Sequence, residues 1–304
     1  LYFSIIDWHH PDYPNVGNHP QRDDKEYGQR TFNWDNYLQY MHGQVKELVT
    51  GYGKLDIMWF DYSFDDYSGE KWKARELVDM VRKHQPGIIL DNRLETHAGL
   101  TAGKRKVSLL GDFETPEQGI PDAPILDQYG NPIPWETCLT LNNHWGYHEF
   151  DNNWKSPELV IQSLVNCVSK NGNLLLNVGP DARGKIPDES VAILNEVGKW
   201  MQRNSESIYG AGACQLSKPD WGRYTRKGNS IYAHWMNPSL GQLNTRGVPA
   251  DKVKNIFMCS SGAELSWVKN WWGNMEEGNL FIRTGDSPQK PYPYDTVIRI
   301  ELNE

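Results

Sequence analysis

The chain has 304 residues, enough for two domains, and a formal net charge of −8, with 31 Lys and Arg against 39 Asp and Glu. The acidic balance argues against nucleic acid or an anionic membrane surface as a partner, and no apolar run of 18 residues is present to span a bilayer. No basic segment followed by an apolar stretch opens the chain, so a signal peptide is absent or already removed, which leaves the compartment open.

Residues 1–6 read as a strand. "FNWDNYLQYMHGQVKELVTGYG" carries apolar residues at helical spacing and predicts a helix stopping at Gly51. "LDIMWFD" (55–61) is a short apolar run typical of a strand buried on both faces. "SGEKWKARELVDMVRKHQPG" predicts an amphipathic helix ended by Pro86-Gly87, and "GIILDNR", "VSLLGDFE" and "WETCLTLN" predict three more strands. "SPELVIQSLVNCVSKNG" reads as a helix capped by Ser156 with Pro157 in its first turn. "NLLLNVGP" is a strand and "PDESVAILNEVGKWMQRN" the last long helix.

Strands alternating with helices of ten or more residues imply a parallel sheet. Each expected strand ends in polar residues: Asp7, Asp61, Asp91-Asn92-Arg93, Asp112 and Glu114, Asn142-Asn143, Asn177. Polar groups at the carboxyl ends of parallel strands are what a (β/α)8 barrel offers as an active site. No Gly-rich phosphate loop follows any strand, which argues against an open dinucleotide-binding sheet. After residue 210 the pattern changes to short strands separated by turn residues, from "RYTRKGNSIYAHWM" to "DTVIRIEL", the signature of an antiparallel β-sandwich. The expectation is a barrel portion at 1–210 and a sandwich domain at 211–304. Six strands are too few to close a barrel, so the barrel is expected to be N-terminally incomplete.

Thirteen Trp, fifteen Tyr and eight Phe make 12% of the chain. Such rings fill cores, and they also stack on the apolar faces of sugars. Asp61, at the tip of the most apolar strand with Trp59 two residues back on the same face, is placed to attack a sugar carbon; a cap or an Arg partner would explain the same acid. Glu114 is the second carboxyl, with Glu117 and Glu136 as rivals, since a retaining glycosidase needs two. Arg93 near Asp61 would keep it ionised, or would form a structural ion pair. Asp7, His9, His10 and Asp12 are crowded in "DWHHPDYP", but adjacent His side chains on an extended segment point apart, so a sugar contact through His9 beside Trp8 is preferred to a metal. The four cysteines are far apart and form no CxxC pair. No cofactor and no metal is called for.

"YFSIIDWHHPDYP", "DIMWFDYS", "ILDNR", "GDFETPEQ", "WETCLTLNNHWGY" and "NLLLNVGPDARGKIPDESVAILNEVGKWMQRNSESIYG", in this order, resemble glycoside hydrolase family 29, the α-L-fucosidases. The resemblance runs from residue 1 to about 210. It implies retaining hydrolysis of terminal α-L-fucose from glycans, and the GDFETPEQ form resembles the branch selective for α-1,3/1,4 linkages. It implies Asp61 as nucleophile and Glu114 as acid/base, with Glu136 as runner-up. Trp59, Arg93, Trp145 and either Tyr2 or Phe3 match sugar-contacting positions. The family's first barrel section has no counterpart here, so association with a second copy or an N-terminal partner is expected. Weak or purely glycan-binding behaviour is the alternative, as is an α-L-galactosidase. Tyr62-Ser63 stand where many members have glycine.

Overall fold

The computed structural model describes residues 1–95, 110–127, 129–239, 242–269, 280–285 and 290–303. Two compact units are present: 1–117 with 126–135, and 118–125 with 136–304.

The first unit holds β1 (Tyr2–Ser4), α1 (Lys25–Gly28), α2 (Trp34–Gly51), β2 (Ile57–Asp61), α3 (Ala74–His84) and β3 (Ile89–Leu90). The strands pair in parallel in the order β1-β2-β3, with Ser4 opposite Asp61 and Met58 opposite Leu90. Parallel bridges continue the pairing from Asp91 to Phe113 and from Glu114 to Trp135. Of the strand expected at 107–114, residues 107–109 lie outside the described residues.

The sheet's two faces differ. Met58, Phe60 and Leu90 are buried with Leu38, Met41, Val45, Leu77 and Val81 of α2 and α3. Ile57, Trp59 and Asp61 alternate onto the other face, as a period of two requires. "LDIMWFD" therefore differs from the expectation of burial on both faces. The sequence stays apolar there because Trp59 and Ile57 occupy the site side of the strand. The helix expected across 68–87 is broken at Lys73, which has φ 50° between a 3₁₀ turn (Gly69–Trp72) and α3. Trp72 is fully buried and donates through Nε1 to the Tyr67 carbonyl at 2.8 Å, which fixes that turn.

The second unit contains β4 (Trp135–Thr140, its first residue belonging to the first unit), α4 (Pro157–Val168), β5 (Gly172–Asn177) and α5 (Asp188–Asn204). The Ser156 hydroxyl accepts from Leu159 N at 3.1 Å, the cap that the sequence predicts. The remaining strands are β6 (Gly212–Ala213), β7 (Gly222–Lys227), β8 (Ser230–Trp235), β9 (Leu243–Asn244), β10 (Val253–Met258), β11 (Trp267–Val268), β12 (Phe281–Ile282) and β13 (Thr296–Leu302). They form two antiparallel sheets, β10-β13-β8-β7-β6 and β11-β12-β9. The sheets share a core of Trp235, Leu243, Ile256, Ile282, Ile298 and neighbours. Gly222 is obligatory, because a Cβ there would lie 1.7 Å from the His234 carbonyl oxygen.

Residues on both sides of position 210 share a core. Ile161, Val165 and Val168 of α4 and Trp200 of α5 form one apolar cluster with Tyr232, Met236 and Val297, so these helices join the antiparallel sheet in a single core. A buried polar chain reinforces it. Asp295 Oδ2 lies 2.7 Å from His234 Nδ1, Thr225 Oγ1 lies 3.1 Å from His234 Nε2, and Trp200 Nε1 donates to the Asp295 carbonyl.

Candidate active site

Asp61 ends β2 with both carboxylate oxygens engaged. Oδ2 accepts from the Tyr2 hydroxyl at 2.8 Å, and Oδ1 accepts from Arg93 Nη1 and from the Tyr62 backbone N–H, each at 2.9 Å. Parallel register delivers Tyr2, because β1 lies against β2 with Tyr2 opposite Trp59. The two rings stack with centroids 5.8 Å apart. Burial, then the neighbouring Asp61 charge, pushes the Tyr2 phenol well above its usual range, so it stays a donor to the carboxylate. Phe3, the other sequence candidate, faces the opposite way, edge-on to Phe60.

Arg93 organises the cluster and is only 2% exposed. Its guanidinium lies over Trp59, 4.7 Å from the ring centroid, a cation–π contact strengthened by removal from water. Nε donates to Thr115 Oγ1 at 2.8 Å, and Nη2 donates to the Thr115 carbonyl at 3.2 Å and to Glu117 Oε2 at 3.0 Å. Thr115 Oγ1 donates to Asn92 Oδ1, and Asn92 Nδ2 donates to Glu114 Oε2 at 2.7 Å. A buried cation is tolerable here because two carboxylates and several acceptors surround it.

The two glutamates of "GDFETPEQ" therefore differ. Glu114 is 2% exposed and held by Asn92, whereas Glu117 is partly open to solvent and shares Arg93 with Asp61. Asp61 is also partly open, its side chain 21% exposed. Asn92 and Thr115, which the sequence does not mark, supply the bonds that orient Arg93 and Glu114.

Asp91 is buried beneath this site and accepts from the Phe60 N–H at 3.0 Å. Its Oδ2 is buried with no hydrogen-bond partner among the described residues. Desolvation holds its carboxyl well above the ordinary carboxylate range.

The Trp8–Asp12 segment closes on itself. His9 N–H donates to Asp7 Oδ1, His10 Nδ1 accepts from Asp12 N–H, and the Trp8 carbonyl lies 3.1 Å from His19 Nε2. Among the described residues no group of His, Cys, Asp and Glu could hold a metal ion, and no helix is long and apolar enough to cross a membrane. All four cysteines are free thiols.

Glu136, on β4, and Trp145 belong to the second unit. The Trp145 carbonyl accepts from Asn177 Nδ2 at 2.7 Å, at the end of β5. The next residue, Gly146, lies so close to Gly179 that a Cβ on Gly179 would meet its carbonyl carbon at 2.6 Å. Backbone contact between these two glycines fixes the loop that carries the tryptophan.

Comparison with known proteins finds relatives of one family. The alpha-L-fucosidase family model matches residues 1–206. A putative alpha-L-fucosidase of Caenorhabditis elegans is 30% identical over 220 residues, covering 69% of this chain and 39% of that protein. The alpha-L-fucosidase of Branchiostoma floridae is 30% identical over 320 residues, covering 99% of this chain and 63% of its own length. Among solved structures, alpha-L-fucosidase isoenzyme 1 from Paenibacillus thiaminolyticus superposes with a TM-score of 0.92 at 48% identity, covering all of this chain and 71% of that one. A Bacteroides thetaiotaomicron family 29 enzyme, solved as a trapped covalent intermediate with 2-fluoro-fucosyl fluoride, gives 0.79 at 25% identity over 100% of this chain and 67% of its own. The chain spans 39% to 63% of the length of the curated relatives it matches. With the family model matched over residues 1–206, the chain belongs to the α-L-fucosidase family.

Proposed function

We propose that the chain carries the catalytic centre of a retaining exo-α-L-fucosidase acting on terminal L-fucose of glycans. One observation carries this reading: Asp61 and Glu117 are held by the two ends of a single guanidinium, on the face of the sheet that also presents Trp59 and Tyr2. Two carboxyls about 5–5.5 Å apart are what double displacement at a sugar carbon uses.

Asp61 attacks C1 of the fucoside while a second carboxyl, Glu114 or Glu117, donates its proton to the departing glycosidic oxygen. The C1–O bond breaks and a fucosyl ester of Asp61 forms. That second carboxyl, having given up its proton, takes a proton from water as the water oxygen bonds to C1 and Asp61 leaves. The Tyr2 hydroxyl, Arg93 and the Tyr62 N–H orient Asp61 for both steps. Glu114 bonds the neutral Asn92 amide and is nearly sealed from solvent, whereas Glu117 is more open but is ion-paired with Arg93, so the two glutamates are alternatives for the acid/base role. Glu136 stays the alternative from the second unit. Preference for α-1,3/1,4 linkages rests on the resemblance of "GDFETPEQ" alone.

The same sheet face leaves Ile57 and Ile89 exposed. Apolar residues in that position favour a covering segment of further barrel strands, supplied by a longer polypeptide or by a second chain. They also favour the second reading: without that cover the unit binds fucosylated glycan and turns it over poorly.

The deciding experiment measures hydrolysis of an aryl α-L-fucoside and of the aryl α-L-galactoside, with fucose binding followed by calorimetry. Turnover of the fucoside that is lost in Asp61→Asn supports the enzyme. Binding without turnover supports the glycan-binding reading, and preference for the galactoside sinks the fucosidase assignment.

A further inference from the structure

Tyr62, the residue after Asp61, has φ 83°, in the left-handed region that side chains other than glycine, asparagine and aspartate rarely adopt. Along β2, Met58 and Phe60 point into the core and Ile57, Trp59 and Asp61 to the other face. Continued alternation would send residue 62 inward. The left-handed turn breaks the alternation. Tyr62 swings out and is 44% exposed, while Ser63 takes the buried place and donates its hydroxyl to the Leu94 carbonyl at 3.2 Å.

The turn explains the backbone but not the side chain. Positive φ lets the Tyr62 N–H reach Asp61 Oδ1 at 2.9 Å, and glycine would do this without strain. Tyrosine adds a large ring whose exposure returns little burial to offset the strained backbone. Strain kept without compensation in the fold clusters at sites of function. The ring also leaves the chain directly beside the carboxylate that Tyr2 and Arg93 hold.

We propose that Tyr62 is a sugar-contacting residue whose ring forms a wall of the site against the apolar edge of a 6-deoxyhexose, the C5–C6 side of L-fucose. This rests on the fucosidase reading above. Sugar C–H groups pack on an aromatic face, and a methyl at C6 adds apolar surface that a hydroxymethyl lacks.

The test compares Tyr62→Gly and Tyr62→Phe with the unaltered protein in three measurements: thermal midpoint, L-fucose Kd by calorimetry, and kcat and KM on an aryl α-L-fucoside. Tyr62→Gly should raise the midpoint, because strain is relieved, and should raise both Kd and KM about tenfold, the loss falling on KM rather than kcat. Tyr62→Phe, which keeps the ring and the strain, should lose less affinity than Tyr62→Gly and gain no stability. A Tyr62→Gly variant that is more stable with unchanged Kd and KM would overturn the proposal, leaving a strained turn residue. Equal losses in both variants would overturn the ring contact. An unaltered protein that neither binds fucose nor hydrolyses the fucoside overturns the fucosidase reading and this one together.

Discussion

Asp61 and Glu117 accept hydrogen bonds from opposite terminal nitrogens of the same arginine, at 2.9 and 3.0 Å from Arg93. The rigid planar fork of a guanidinium bounds the separation of those two oxygens at about 8 Å, whatever the loops around them do. Arg93 is in turn fixed by Thr115 and by the face of Trp59. The pair of acids is thus set by one buried cation rather than by two independent loops, and the predictions below test that arrangement.

Removing the acid/base while keeping the nucleophile leaves a distinctive chemical trace. In the Ala variant of that residue, Glu114→Ala or Glu117→Ala, hydrolysis of an unactivated fucoside should fall by about 10²–10⁴-fold. A substrate with a good leaving group still forms the fucosyl ester, and azide filling the vacated space then attacks it, giving α-fucosyl azide through two inversions. Product stereochemistry by NMR reads this directly. The glutamate whose Ala variant gives the α-azide is the acid/base, and α-azide from neither variant would rule out both.

Arg93→Met keeps much of the side-chain volume and removes the charge. It leaves Asp61 and Glu117 facing each other without a counter-ion, and Thr115 without its donor partner. Breaking a buried ion pair from one side costs about 3–5 kcal/mol, and a loss in that range is expected from denaturant unfolding. Arg93→Lys should recover only part of it, since one ammonium cannot reproduce the fork that spans both carboxylates. A stability loss below about 1 kcal/mol, typical of a surface pair, would mean that the arginine is not the organising group.

Asp91 makes a prediction of the opposite sign to most carboxylates. Its folded-state pKa is raised, chiefly by desolvation, so the native state holds a proton that the unfolded state releases above about 3.9. Stability from this group is complete below that value and falls as pH rises towards the folded-state pKa. Asp91→Asn, neutral at every pH, should flatten the decline and unfold at higher temperature than the parent at pH 7. A melting series from pH 4 to 8 checks it; an Asn variant less stable than the parent across that whole range would show that the carboxyl is ionised in the fold.

Where the sequence was legible, one-dimensional periodicity matched one-dimensional structure. α2, α4 and α5 fall where apolar spacing and caps place them, and Ser156 caps as expected. The nucleophile candidate was legible because an apolar strand ending in an acid is a local pattern. The second carboxyl is not singled out by local pattern: Glu114 and Glu117 lie three residues apart in one segment, and only their long-range partners, Asn92 and Arg93, set them apart. The expected boundary at 210 follows composition alone. Composition changes at 210, but α4 and α5 bury their apolar faces with Tyr232, Met236 and Val297, a long-range choice with no local mark. Lys73 broke an otherwise helical stretch because Trp72 is drawn into the core.

The last prediction concerns the loop that presents Trp145. Asp151 is buried and gathers this loop by accepting from Asn143 N–H, Asn143 Nδ2 and Asn153 N–H, with His144 Nδ1 at 2.6 Å. These bonds, the one from His144 foremost, lower its pKa to about 2. A depressed carboxyl contributes stability that is present above its unfolded value near 3.9 and is lost as pH falls through about 2. The loop should therefore loosen in that acid window while the cores, which are apolar, persist to lower pH. Asp151→Ala should loosen the loop already at neutral pH, seen as greater solvent access to Trp145. The difference in acrylamide quenching between the protein and its Trp145→Phe variant, followed against pH, reads the loop itself; identical difference curves with and without Asp151→Ala between pH 2 and 7 would show that Asp151 does not hold it.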